Sequence, residues 1–198
     1  MVLTTAQITT LQNYINTDPV MITYPKNATG ADGIQQVLNV QPAIAFYVYK
    51  SNTPVIDILE QITWANFTPQ DLPPVAAVPT APTVAETYTL DLWRARSLQC
   101  QGKQFNIQTL LSGRSELNTA KLKIRDGIQD ALTAIPSGAA GASKAGGWVN
   151  VQTILYRPAT LIEKVLSTGT GSTASPATMG NEGNITGDDI RIAMGWPY

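Results

Sequence analysis

A proline-rich segment in the middle of the chain most limits how the polypeptide can fold. Five of the fourteen residues at 69–82 are proline, and most of the others are alanine, valine or threonine. Because proline lacks a backbone N–H and fixes φ, neither a helix interior nor a central strand can pass through this segment. The segment is either a semi-rigid surface linker in polyproline II conformation or, since it is almost uncharged, an extended arm that lies along a neighbouring subunit.

Before this segment, apolar residues at helical spacing predict three helices. Thr4 and Gln7 fit the capping box of a helix over residues 4–16. A second helix is expected from about Asp32. Thr53 is the expected cap of a third, with Pro54 as its first helical residue. The β-branched and aromatic run at 44–50 is the best strand candidate.

After the segment, four more helices are predicted, over residues 84–111, 119–135, 148–167 and 186–193. Gly102 is expected to interrupt the first of them, and Pro158 to kink or divide the third. The expected inward residues of the first are Leu90, Trp93, Leu98, Phe105 and Leu111. The expected apolar face of the second consists of Leu122, Ile128, Leu132 and Ile135, and Arg125 lies off that face.

These patterns favour a mainly α protein, a helical bundle with an extended proline-rich arm and a minor β element. The sequence divides into N-terminal helices with one strand (1–68), the proline-rich arm or linker (69–83), a central helical bundle (84–168), and a C-terminal loop, short helix and aromatic tail (169–198). The length of 198 residues favours one domain for all four parts.

Charged residues are scarce. Only 27 of 198 residues, 14%, are Lys, Arg, Asp or Glu, where about a quarter is usual. A surface so poor in charge predicts a subunit that meets other chains over much of its area. The basic residues are dispersed and the isoelectric point is near 5.3, which disfavours a dedicated nucleic-acid reader.

Charge is also unevenly spread along the chain. Residues 1–92 carry a net charge of −5, residues 93–165 carry +6, and the remainder carries −2. Two interpretations stay open. The signs compensate once the chain folds, or acidic and basic parts of neighbouring subunits face each other across a repeated contact.

Missing residue types exclude several chemistries. The chain has no histidine, which excludes Ser-His-Asp and Cys-His catalysis and histidine-ligated metal sites. Its single cysteine, Cys100, allows neither an intrachain disulfide nor a zinc cluster. We therefore expect a protein that is not an enzyme and holds no cofactor or metal. With no signal-peptide pattern and no apolar run of 18 residues, we also expect neither export by that route nor a membrane span.

Two groups of residues are candidates for contacts. Arg157, Glu163 and Lys164 can form a polar network, either as a structural salt bridge or as a contact between subunits. Trp196 and Tyr198 form an aromatic terminus that is expected to dock on the chain's own core or on a partner. The neighbouring acids Asp188 and Asp189 are better explained as helix caps than as a cation site.

The stretch from Tyr156 onward resembles the C-terminal signature of a family of small virion proteins encoded by tailed bacteriophages, and residues 3–19 resemble the start of that family. The signature runs Arg-x-Ala-Thr-x-x-Glu-Lys, then Gly-Thr-Gly-Ser, Pro-Ala-Thr and Gly-x-Ile-Thr. Its counterparts are Arg157, Ala159, Thr160, Glu163, Lys164, residues 169–172, residues 176–178, Gly183, Ile185 and Thr186. The proline-rich middle departs from the family pattern.

This resemblance implies a structural protein of the virion, assembled in the host cytoplasm. A head-to-tail adaptor in the neck or connector, forming a ring of about twelve copies beneath the portal, fits best. The implied partners are copies of the chain itself, the portal protein and tail proteins, with transient passage of DNA through the ring and no membrane. Arg157, Glu163, Lys164, Trp196 and Tyr198 are the expected assembly contacts. A capsid cement or decoration protein is the structural alternative, and a cell-wall or polysaccharide hydrolase that uses two carboxylates is the alternative of another class.

Overall fold

The computed structural model describes residues 3–73 and 84–197. The chain is mainly helical, with 53% helix, which confirms the predicted fold class at that level. Its described helices are α1 (Thr5–Thr17), α2 (Ala28–Leu38), α3 (Val55–Gln61), α4 (Val84–Leu111), α5 (Leu122–Leu132), α6 (Trp148–Ile154), α7 (Leu161–Val165) and α8 (Gly187–Met194). The predicted proline-rich arm falls largely on residues 74–83, which lie outside the described residues.

Four short strands in the described part of the chain form two antiparallel pairs. β1 (Tyr47–Tyr49) pairs with β4 (Tyr156–Pro158), and β2 (Thr53–Pro54) pairs with β3 (Glu116–Leu117). The minor β element predicted at 44–50 is therefore present in a shorter form. Ile44 lies outside the strand and is 81% exposed.

The chain divides into two compact units. Unit 1 combines Met1–Lys50 with Tyr156–Tyr198, and unit 2 is the intervening Ser51–Leu155. The boundaries lie at residues 50/51 and 155/156, whereas the sequence-based divisions lie at 68, 83 and 168. Each unit therefore uses segments that the sequence pattern assigned to different parts of the chain.

Unit 1 is built on four helices whose apolar faces meet. Leu11 and Ile15 of α1, Ile34 of α2, Ile162 of α7 and Ile190 of α8 are fully or almost fully buried. The capping box predicted for α1 is present: the Thr4 hydroxyl accepts a bond from the Gln7 backbone amide, and the Gln7 side-chain oxygen accepts one from the Thr4 backbone amide. This reciprocal bonding fixes where the first helix begins.

The start of α2 was predicted four residues too late. The helix begins at Ala28 rather than near Asp32, because the side chain of Asn27 caps it by accepting a hydrogen bond from the Gly30 amide at 3.1 Å. Gly30 also packs so closely on the backbone of Pro25 that a Cβ would overlap it. The apolar pattern misses this first turn because it contains only small and polar residues.

In unit 2, the predicted cap of α3 is wrong. Thr53 lies in β2 and is buried, and its hydroxyl is 2.9 Å from that of Thr119. The Thr119 hydroxyl also donates to the Leu155 carbonyl at 3.2 Å. Because the Thr53 side chain is used in this buried pair, Pro54 occupies the cap position of α3 without a side-chain bond.

The 28-residue α4 matches its predicted bounds but only part of its predicted inner face: Leu111 is buried and Leu90 and Trp93 are partly buried. Its buried residues are Cys100, Ile107 and Leu111, whereas Leu98 is 70% and Phe105 67% exposed. Gly102 does not interrupt the helix, since one glycine in an exposed helix costs only about 1 kcal/mol. Although α4 is long, no helix in the described part of the chain is apolar enough to cross a membrane.

The next helix, α5, buries Ile128 and Leu132 as predicted but differs from its predicted face at two positions. Leu122 is exposed and Arg125 is buried, the reverse of the expectation. The Arg125 guanidinium donates to the carbonyl oxygens of Thr119 and Ala120 at 2.6 and 2.9 Å, which is how the buried cation is solvated. Ile135 is buried as predicted but lies beyond the helix, where it pairs with Lys144.

The segment predicted as a long helix over 148–167 is three elements. Pro158 divides it, as one of the two predicted outcomes, and ends the strand β4 between α6 and α7. This strand was not predicted. It forms because β1 supplies a partner, with Val48 opposite Arg157.

Candidate functional site

Arg157 and Glu163 form a two-point ion pair in unit 1. Arg157 Nη1 donates to Glu163 Oε2 at 2.8 Å, and Nη2 donates to Oε1 at 2.7 Å. Nη2 also donates to Glu182 Oε1 at 3.3 Å. β4 positions the arginine and α7 positions the glutamate, so the pair joins a strand to the helix that follows it.

Glu163 is only 2% exposed, yet its carboxylate is fully supplied with donors. Besides Arg157, the backbone amides of Thr160 and Gly183 donate to it at 3.0 and 3.1 Å. Burial acts to raise the pKa of this carboxyl, but the hydrogen bonds from Arg157 and the two amides outweigh burial and hold the pKa below its ordinary value. Glu163 therefore remains ionised at neutral pH and is fully engaged within its own unit.

The other residues of the C-terminal signature also have structural contacts in unit 1. Thr160 and Thr186 cap α7 and α8 through capping boxes. Ala159 and Ala177 pack on Val48 in a small buried cluster. The signature is thus a set of caps, close contacts and one ion pair that hold β1, β4, α7 and the 168–186 loop together.

Gly171 shows how tightly this loop is held. Its backbone has φ of +68°, and a Cβ at this position would overlap the ring of Phe46. The Gly171 carbonyl accepts a bond from the Tyr47 amide at 2.8 Å, and the Ala177 carbonyl accepts one from the Tyr49 amide at 3.0 Å. The loop therefore lies along β1 on the side opposite β4. Glu182 and Met179 accept bonds from Arg157, and Gly183 donates one to Glu163; no sequence pattern indicates these roles.

Two of the three remaining predicted contact residues, Lys164 and Trp196, also have neighbours in their own unit. The Lys164 ammonium lies 5.7 Å from the centroid of the Phe46 ring, within range of a cation–π interaction. Trp196 is partly buried against the apolar core of unit 1, and its amide donates to the Arg191 carbonyl at 3.0 Å. Tyr198 lies outside the described residues.

The acidic pair near the C-terminus belongs to α8. The Asp189 carboxylate accepts bonds from the backbone and hydroxyl of Thr186, and Asp188 pairs with Arg191 at 2.7 Å. Asp189 therefore takes part in the capping of α8, as expected for one of the two acids, whereas Asp188 forms an ion pair along the helix. Among the described residues, no group of three or more acidic or cysteine side chains is placed to hold a metal ion.

A second two-point ion pair lies in unit 2, next to the proline-rich segment. Arg96 of α4 donates to Asp71 Oδ1 at 3.0 Å and to Oδ2 at 2.6 Å. Trp93 Nε1 donates to the Asp71 carbonyl at 3.1 Å. The hydrogen bonds from Arg96 lower the pKa of Asp71. These contacts fix residue 71, near the start of the proline-rich segment, to α4.

The uneven charge along the sequence does not produce oppositely charged units. Unit 1 contains five basic and six acidic residues, and unit 2 contains eight of each. Their net charges are therefore −1 and 0. This balance favours the first of the two interpretations, in which the charges of distant segments compensate within each folded unit.

Large apolar side chains are exposed on several helices. Besides Leu98 and Phe105 on α4, Val149 on α6 is 71% and Ile192 on α8 64% exposed. We call the solvent side of α4 that carries Ala95, Leu98, Gly102, Phe105 and Thr109 the α4 outer face. These five positions follow one another at three- and four-residue spacing, so they form one continuous strip.

No protein-family model matches the chain, and neither a curated protein nor a solved structure shows significant similarity to it.

Proposed function

We propose that the chain is a structural protein of a tailed-bacteriophage virion, acting as a head-to-tail adaptor. In this proposal, about twelve copies form a ring beneath the portal and receive the tail. The finer architecture belongs to the same proposal: a helical bundle forms the wall of the ring, and the segment at 69–83, beyond its attachment at Asp71, is an arm that lies along a neighbouring copy. DNA passes through the ring transiently, and no enzymatic step is required.

The observation that carries this proposal is the combination of few charges with exposed apolar side chains on regular helices. Four side chains on three helices, Leu98, Phe105, Val149 and Ile192, are each more than 60% exposed. Single exposed apolar residues are common, but a chain with only 14% charged residues has few charges whose repulsion would keep such side chains apart at high concentration. Contact with other subunits removes them from water, and each Å² of apolar area then contributes about 25 cal/mol.

The contacts at Asp71 support the proposed arm. Arg96 and Trp93 hold the chain on α4 immediately before residues 74–83. An arm that binds a neighbouring subunit does so with a smaller loss of conformational entropy when its first residues are already held in place. In the proposal, the C-terminal signature stabilises unit 1. Its buried carboxylate, that of Glu163, is bonded within this unit and does not bind a partner.

Deleting the gene from the phage or prophage that encodes the chain tests the proposal. Loss of an adaptor leaves DNA-filled heads and finished tails that do not join, which electron microscopy of the lysate would show. Joined particles with fragile capsids would instead indicate a decoration protein. Complete, stable particles that fail to infect would indicate the hydrolase. Either of these two results contradicts the adaptor.

A further inference from the structure

We propose that the α4 outer face is a self-association surface, on which the same face of a second copy packs antiparallel across a two-fold axis close to Gly102. The strip carries two large apolar side chains, Leu98 and Phe105, which are 70% and 67% exposed. They are seven residues apart, or two helical turns, so they point the same way. One apolar side of α4 packs within its own unit, and the second apolar side, on the α4 outer face, is available to another chain.

Gly102 lies between these two side chains and has no role within the described chain. A Cβ built at Gly102 meets no described atom within 4 Å, and its φ is not in the left-handed region. Glycine is thus neither sterically nor conformationally required there, and it weakens the helix relative to alanine. A second helix that packs closely at this point would explain the glycine, because a residue without a side chain lets two helix backbones approach each other.

The strip is complementary to itself when one copy is reversed. With the two-fold axis between Gln101 and Gly102, Leu98 of one copy lies opposite Phe105 of the other, and the reverse contact follows by symmetry. Both pairs lie one turn from the crossing point. Gly102 also opens onto a groove of about 400 Å³, bounded by α4, the end of α5 and the turn at 134–136, which can take the side chains beside the crossing.

The charges on the strip favour a second copy over other partners. The side chains around Gly102 on the outer side are neutral, including Gln99, Gln101 and Asn106. Lys103 is turned toward Asp130 on the flank. A nucleic acid or an anionic membrane needs cations on the surface it meets, and a charged peptide needs opposite charges. A second copy brings the same neutral amides, and a chain with a net charge of −1 scarcely repels itself.

The area of one helix face is smaller than the roughly 800 Å² per partner of a standard interface, so we expect reversible and concentration-dependent pairing. Sedimentation equilibrium of the purified full chain should show a monomer–dimer equilibrium. Phe105→Lys should raise the dissociation constant at least about tenfold, since it places a cation in an apolar contact. Val149→Lys, an equally exposed change on α6, should leave the constant within about twofold.

Two further variants test the geometry. Gly102→Ala should raise the melting temperature of the chain while weakening dimerisation, a combination that a merely structural glycine does not produce. Leu98→Glu with Phe105→Lys should dimerise about tenfold more tightly than Leu98→Glu with Phe105→Glu, because the antiparallel register brings residue 98 opposite residue 105. Equal constants for the two double variants would overturn the register.

A wild-type chain that stays monomeric at all concentrations, or a dimer that Phe105→Lys does not weaken, would overturn the proposal. This inference does not rest on the proposed virion function. If the purified chain is monomeric but about twelve copies are found in each particle, the self-association alone is overturned. If the purified chain forms the dimer but is absent from particles, only the virion function is overturned.

Discussion

Glu163 joins the strand β4, the start of α7 and the loop before α8 in unit 1. Its buried carboxylate receives bonds from the side chain of Arg157 and from the amides of Thr160 and Gly183. These donors come from β4, from the cap of α7 and from the loop before α8. A single carboxylate therefore connects the end of β4 and the start of α7 to a loop about 20 residues further along the chain.

We expect Glu163→Gln to lower the free energy of unfolding by about 2 kcal/mol, because it removes charge-assisted bonds from a buried group while keeping its shape. Chemical denaturation with urea measures this change. Glu182→Gln is the control, since Glu182 binds the same arginine at an exposed edge, and it should cost at most about 0.5 kcal/mol. Equal losses for the two variants would contradict the structural role given to Glu163.

The lowered pKa of Glu163 predicts acid sensitivity. The ordinary value is 4.5 and the folded value lies below it, so the folded state binds this proton less readily than the unfolded chain. The stabilisation is fully present above the ordinary value and is lost as the pH falls through the folded one. Between about pH 5 and about pH 3, the unfolding free energy of Glu163→Gln should therefore fall less steeply than that of the wild type.

Asp189 and Asp71 also have lowered pKa values, so part of the acid sensitivity remains in the Glu163 variant. Parallel pH profiles for wild type and Glu163→Gln would contradict the account of Glu163.

Ala140 has a left-handed backbone, with φ of +53°. This conformation is unfavourable for alanine and free for glycine, so Ala140→Gly should raise the free energy of unfolding by up to about 1 kcal/mol. The exposed neighbour Ala142, with φ of −57°, is the matched control, and Ala142→Gly should destabilise the chain. Thermal unfolding of the two variants compares them directly. A lower melting temperature for Ala140→Gly would be inconsistent with the strain.

At the scale of elements, the 168–186 loop depends on a close contact as well as on backbone bonds. Gly171→Ala should destabilise the chain by about 2 kcal/mol, since the new methyl group overlaps Phe46 and also strains a positive φ. Gly113→Ala has the same φ of +68° but open space around it, so it should cost about 1 kcal/mol.

Hydrogen exchange distinguishes the two effects. In Gly171→Ala the amides of Tyr47 and Tyr49 should lose protection, because they donate to the 171–177 segment. If these amides keep full protection in Gly171→Ala, the loop is not held to β1 by this contact.

The elements that the sequence predicts well are those with local signals. The Thr4 capping box and the bounds of α4 follow from neighbouring residues. The failures arise where distant partners decide. Thr53 does not cap α3, because its hydroxyl bonds that of Thr119, 66 residues away. The charge of the buried Arg125 is stabilised by backbone carbonyls, which no sequence pattern indicates.

The inner face of α4 illustrates a second limit. The helix carries two apolar faces, one with Ile107 and Leu111 and one with Leu98 and Phe105, and periodicity alone does not tell which one its own unit covers. For the candidate site, the sequence identified Arg157 and Glu163 as partners. It could not identify Gly183, because that residue contributes only a backbone amide.

At the scale of the whole molecule, the two units are almost neutral, and the large exposed side chains belong to helices of both. In the proposed function these side chains are covered by other subunits, while the C-terminal signature maintains unit 1, which carries Ile192. The proposal thus separates residues that stabilise the subunit from residues that join it to others.

Copy number tests the proposal most directly. Quantitative mass spectrometry of purified virions, with the portal protein as internal standard, should find the chain in equal number to the portal subunits, or about twelve per particle. Hundreds of copies per particle, or none, would contradict a ring beneath the portal.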